Sequence, residues 1–154
     1  MSDFINGTKV HQLRPDRAPD FVIGAPDNPY MLRWYLVPRN ELFNIYYHAI
    51  LRDDDDRALH DHPWPSFSIM MSGALRELTS EGAQVHQAGA CVYRGPDHAH
   101  RLELIDRMPA ETLFITGPKV REWGFHCPQG WRRWQDFVGE NSGEVGRGCG
   151  EMDQ

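Results

Sequence analysis

The stretch His60-Asp61-His62-Pro63-Trp64-Pro65-Ser66-Phe67-Ser68-Ile69-Met70-Met71-Ser72-Gly73 opens on two histidines one residue apart and stops at a glycine. Between them lies a run of β-forming residues. Histidines at i and i+2 in an extended backbone point to the same side. A second pair, His98-Ala99-His100, opens another apolar run. Two such pairs on neighbouring strands aim three or four imidazoles at one point. Neutral imidazole is the commonest metal ligand in proteins and suits Fe, Zn, Ni and Cu. The spacing therefore predicts a metal site. The plainer reading is a set of hydrogen-bonded histidines in turns.

Outward from these clusters the chain breaks into short β-forming runs at 31–38, 42–51, 66–72, 74–79, 84–87, 90–93, 100–105, 111–116 and 122–126. Turn residues such as Gly73 and Ser80-Glu81-Gly82 separate them. Residues 131–138 fit a short strand or a helical turn. No long segment keeps a helical period, so the pattern predicts an all-β sandwich or barrel. Residues 1–29, with Pro15, Pro19, Pro26 and Pro29, read as an irregular lead-in to a barrel spanning 30–138. The glycine-rich residues 139–154 read as a flexible tail. The acidic run 53–56 reads as a solvated loop, because it lacks the spacing of a calcium loop.

A chain of 154 residues with 40% hydrophobic and 25% charged content is expected to be one globular domain. Its net charge of -6 argues against nucleic acid as a partner. No apolar run is long enough to span a membrane, and residues 1–9 show no signal peptide. Cys91, Cys127 and Cys149 make an odd count without a CxxC pair. This reads as no disulfide framework and a cytoplasmic setting. Cys91, in an apolar run, is expected to be buried.

With these residues in place the chain resembles the cupin superfamily, the RmlC-like double-stranded β-helix or jelly-roll barrels, and in size a small single-domain bacterial member. Its first motif is written G(X)5HXH(X)3–4E(X)6G. His60 and His62 supply HXH, Ser66 stands at the Glu position, and Gly73 falls in register. Its second motif is G(X)5PXG(X)2H(X)3N. Gly89 fits the start and His100 the histidine, while Gly95, Asp97 and Leu104 stand at the Pro, Gly and Asn positions. The resemblance implies metal ligands His60, His62 and His100. His98 is a candidate fourth ligand in place of the lost Glu, or a rim residue. The cofactor implied is a divalent transition metal, iron first, with Zn, Ni or Mn as alternatives. A site of neutral imidazoles keeps the ion's full charge and favours an anionic substrate.

Tyr46 and His48 share a face of their strand, and Tyr93 is placed to line the barrel mouth. These three are the candidate catalytic residues, with core packing as the plainer reading of each. Asp61 is expected to point away from the metal into a salt bridge. The segment 121–128 reads as a last strand and its turn. Four functions remain open: a dioxygenase-like Fe(II) enzyme on a small anionic or chelating metabolite; a Zn, Ni or Mn isomerase or lyase; a non-enzymatic binding module; and a metal-free sugar epimerase-like enzyme. Partners are a small molecule and, through an edge in the aromatic-rich residues 32–51, a second copy in a homodimer.

Overall fold

The structure, a computed structural model, describes residues 13–54, 58–137 and Cys149, with the backbone of 4–5 and 8–9. In chain order the strands are β1 (Phe4–Ile5), β2 (Thr8–Lys9), β3 (Phe21–Ala25), β4 (Asn28–Tyr35), β5 (Asn44–Ile50), β6 (Leu59–His60) and β7 (Ser66–Ser72). There follow β8 (Ala74–Thr79), β9 (Gly82–Gln87), β10 (Cys91–Arg94), β11 (Arg101–Leu104), β12 (Ala110–Thr116), β13 (Gly124–Cys127) and β14 (Gly130–Arg133). A helical turn, α1 (Trp134–Phe137), follows β14, so residues 131–138 hold both expected forms. The all-β reading holds. No helix among the described residues is long and apolar enough to cross a membrane.

Six strands form an antiparallel sheet in the order β10-β7-β12-β5-β4-β3. Facing it is a three-stranded sheet, β11-β8-β9. A third sheet, β14-β13-β6, is joined to the second by the His60–His100 bridge. Alternation along the strands sorts the residues into two faces. Met31, Ile50, Met70 and Ala110 of the large sheet pack with Leu75 and Leu104 of the facing sheet, and so define the barrel interior. Trp34, Tyr47, Ala49 and Met71 pack on the opposite face.

That outer face is covered by part of the lead-in. Trp34 Nε1 donates to the Arg17 carbonyl at 2.8 Å, and the Arg14 guanidinium lies 4.9 Å from the Trp34 ring centre. Arg14 also pairs with Glu111 at 3.0 Å, and Glu111 accepts the Tyr47 hydroxyl at 2.8 Å. Residues 21–25 fall within the stretch expected to be irregular, yet form β3 against β4. The prolines there flank the strand and leave its N–H groups free to pair.

Gly73 marks the corner between β7 and β8. Its φ is +70°, and a Cβ there would stand 2.6 Å from the Pro109 carbonyl oxygen. A side chain at this corner would push β7 away from β12.

Further expectations are corrected. The stretch 32–51 offers no free edge: β4 is paired by β3 and β5, and β5 by β4 and β12. Among the described residues the edge strands of the large sheet are β3 and β10. Cys91 is exposed, because it lies on the edge strand β10. Cys127 and Cys149 form a disulfide, which the odd count concealed. Apart from Cys149, the expected tail 139–154 lies outside the described residues, as do Asp55 and Asp56. Asp53 is exposed, as expected of a solvated loop, while Asp54 is buried; they accept the backbone N–H groups of Leu104 at 2.6 Å and Leu102 at 2.7 Å, fastening the chain to β11.

Candidate metal centre

His100 enters β11 in phase with Leu102 and Leu104, and so faces the interior. Its backbone pairs with His60 in both directions, His60 N to His100 O at 2.8 Å and His100 N to His60 O at 2.9 Å. This bridge sets the two histidine clusters side by side. The rings of His60, His62 and His100 form a near-equilateral triangle, with centres 4.9 to 5.1 Å apart. Each offers a nitrogen within 4.8 Å of the others.

Nε2 of His62 and Nε2 of His100 stand 2.9 Å apart. Two imidazole nitrogens each about 2.0–2.1 Å from a shared ion are about 3 Å apart when they meet at a right angle. Burial holds His62 well below the ordinary histidine value, helped by the charges of His60, His100 and Arg94. Burial likewise lowers His100 to about 4, although its hydrogen bond to Glu77 pulls the other way. Both rings are therefore neutral at neutral pH and keep a lone pair to donate. The donor set fits a borderline divalent transition metal.

The carboxylate absent from position 66 has a counterpart at Glu77 on β8. Glu77 Oε1 accepts from His100 Nδ1 at 2.5 Å, His98 Nε2 at 2.9 Å and Arg94 Nε at 2.6 Å. Its Oε2 accepts from His86 Nε2 at 2.6 Å and Arg94 NH2 at 2.9 Å. An ionised carboxylate only accepts, so each of these histidine nitrogens carries its proton. For His100 this fixes the tautomer: Nδ1–H faces Glu77, and Nε2 is left bare toward His62. Burial alone would raise the Glu77 carboxyl. The hydrogen bonds from His100 and Arg94 outweigh it and hold the group well below the usual range. Such a carboxylate behind a ligating histidine orients the ring and raises its basicity.

Glu77, His98 and His100 also form a compact group. The Glu77 oxygens are already filled by five donors, and Nε2 of His98 is spent on one of them. His98 is thus placed behind His100, with Glu77, rather than with His60 and His62.

Asp61 faces away from the histidines, as alternation requires, and is 1% exposed. Its Oδ1 accepts the Gly124 N–H at 2.8 Å. Its Oδ2 accepts from Trp131 Nε1 at 2.9 Å, His126 Nε2 at 3.0 Å and Arg121 NH1 at 3.0 Å. One carboxylate thereby fastens β13 and β14 to β6. This sets Trp123 and Phe125 beside His60, with ring centres 6.4 and 5.9 Å away. Of the segment 121–128, Gly124–Cys127 form β13 and the turn follows it, as expected, though β14 comes after it; the segment also walls the centre.

Solved structures share this barrel. An RmlC-like cupin protein from Ralstonia eutropha matches over 77% of the chain and 73% of its own, at 16% identity and a TM-score of 0.52. The chain has the cupin fold. A putative mannose-6-phosphate isomerase from the same organism matches over 68% of the chain and 99% of its own, at 18% identity and a TM-score of 0.52. The DMSP lyase DddQ from Ruegeria pomeroyi matches over 71% of the chain and 58% of its own, at 15% identity and a TM-score of 0.53. No family model matches the sequence, and no curated protein does.

Within the cupin barrel Tyr46 and His48 lie on the inner face of β5, in phase with Ile50, and both are buried. Their rings stack on each other with centres 5.7 Å apart, and both stack on Phe114. Arg33 Nε donates to His48 Nε2 at 2.9 Å. Tyr93 does not line the mouth: it lies on the edge strand β10 and is 68% exposed. Ser66, at the position of the cupin carboxylate, is in phase with Met70 on β7. Its hydroxyl is buried with no hydrogen-bond partner among the described residues. A buried polar atom without a protein partner suits a ligand or a water.

Proposed function

We propose that the protein is a metal-dependent enzyme acting on a small anionic or chelating metabolite, with iron as the resident metal and a dioxygenase-like reaction. His60, His62 and His100 hold the ion. The observation that carries this reading is the bare Nε2 of His100 facing Nε2 of His62, with Glu77 fixing the tautomer from behind. Three uncharged ligands supply no compensating charge, which favours an anionic ligand on the remaining positions. Bound there, iron supplies O2 chemistry and a Zn, Ni or Mn ion supplies Lewis-acid polarisation. Trp123 and Phe125 exclude water beside His60, and Tyr46 and His48 orient the substrate from the opposite wall.

A second reading, a Lewis-acid isomerase or lyase, draws on two neighbours of the same fold, the putative mannose-6-phosphate isomerase and the DMSP lyase. The ligands are the same, and the resident metal separates the two readings. Metal content after anaerobic purification is expected near one per chain, lost in His62→Ala and kept in His98→Ala. A wild-type protein free of first-row metal after loading sinks both readings.

A further inference from the structure

Arg33 is a cation with no anionic partner among the described residues. It stands on β4 one alternation step from Met31, whose side chain is in the interior core, and opposite His48 in the β4–β5 register. Its guanidinium is partly buried and lies 4.8 Å from the Tyr46 ring centre. Nε is spent on His48, while the two terminal nitrogens donate to no described residue. The other arginines near the interior or its walls are matched: Arg94 by Glu77, Arg121 by Asp61, Arg14 by Glu111. No carboxylate among the described residues lies within ion-pair reach of Arg33.

The surroundings keep this charge in place. Burial lowers the guanidinium from its ordinary value, with the phenols of Tyr46 and Tyr35 opposing and Arg39 adding. An arginine remains charged throughout that range. His48 is neutral, because burial and the Arg33 charge both lower it. Its Nε2 accepts from Arg33, so it offers no negative charge. A buried, unneutralised charge is costly. The planar fork that remains free matches a two-oxygen anion. With His48 and Tyr46 neutral at the fork and Arg39 a further positive charge that acts on it, the planar two-oxygen carboxylate is the match for the planar fork.

We propose that Arg33, held by His48 and Tyr46, is the anion-binding end of the barrel's ligand site and takes the carboxylate of a small molecule whose other end faces His60, His62 and His100. The inference rests on the proposed function for the identity of that other end, but not for the anion site itself.

The test is ligand-observed NMR titration of the full chain with acetate and, separately, inorganic phosphate. Saturable acetate binding is expected, weakened about tenfold or more in Arg33→Met by loss of the charged bidentate contact. Acetate held by a metal at the three-histidine centre is excluded by adding chelator in excess, which should leave the Arg33-dependent binding unchanged. Acetate affinity that survives Arg33→Met, or phosphate bound more tightly than acetate, overturns the proposal. If Arg33→Met does not fold, phenylglyoxal labelling of the wild type replaces it, read by peptide mass spectrometry. Acetate is expected to protect Arg33, and an unchanged labelling rate overturns the assignment. Metal content, measured on the same samples, reports the three-histidine reading separately. A protein that binds acetate through Arg33 but no metal keeps this inference and loses that one.

Discussion

Glu77→Gln removes one charge from a carboxylate that takes hydrogen bonds from Arg94, His86, His98 and His100. Arg94 is then left buried and unpaired, a loss of about 3–5 kcal/mol. His100 loses the acceptor that holds its Nδ1 proton, and metal affinity is expected to fall about 10–100-fold. Urea unfolding reads the first effect and chelator competition the second. A variant with wild-type metal affinity would remove Glu77 from the account of the centre. The three clustered histidines were legible because i, i+2 spacing is a local signal. Glu77 was not: Leu75 and Leu78 lie on opposite phases of β8, so no inward phase stood out. The strand itself was expected; its inward carboxylate was visible only once Arg94 and His100 were folded against it. Tyr93 failed for a related reason, since nothing local says that β10 lies at an edge.

At the scale of elements, the β13–β14 hairpin is attached to the barrel by the pairing of β13 with β6 and by the side chain of Asp61. Asp61→Asn keeps the shape but loses the charge facing Arg121 and His126. The expected cost is about 1–3 kcal/mol. Tryptophan emission should also move toward that of solvent-exposed indole, because Trp123 and Trp131 depend on the same clamp. An unchanged spectrum would mean that the hairpin holds its place without Asp61. The disulfide ties Cys127 of the same hairpin to Cys149, 22 residues on. A closed loop of that length is worth about 3 kcal/mol. Reductant should lower stability in urea by about that amount, and Cys127→Ser should match the reduced protein without further loss on reduction. The hairpin strand was readable from its β-forming residues. Its partners were not, because Asp61, Gly124 and Cys149 are joined only by long-range pairing.

For the whole molecule, acid is the informative variable. His48, His62 and His100 are held below their ordinary value by burial, so the unfolded chain takes up their protons first. Their contribution is complete above about pH 6.5 and falls as pH drops toward 4, by about 1.4 kcal/mol per unit for each histidine. Glu77 is held low, so its contribution is present above its ordinary value of 4.5 and lost below it. The metal-free protein should therefore show a urea midpoint that falls steadily from pH 7 to 5 and more steeply below. A flat midpoint between pH 7 and 5 contradicts neutral buried histidines. The barrel as a whole was legible from its short strands and turn glycines. The covering role of the lead-in was not, since prolines and polar residues mask a segment whose task is to shield Trp34 and Tyr47.

The three residues His60, Asp61 and His62 divide two duties by parity: odd and even positions face opposite sides of the chain as it leaves β6. A single-residue insertion just before His60 would turn both imidazoles outward and bring the carboxylate inward. The cation site and the anchor of its Trp123 wall would vanish together. In the genetics of this chain, the frame of one tripeptide is thus a common point of failure. A screen of one-residue insertions across 55–66 should show loss of metal and loss of hairpin order in the same clones.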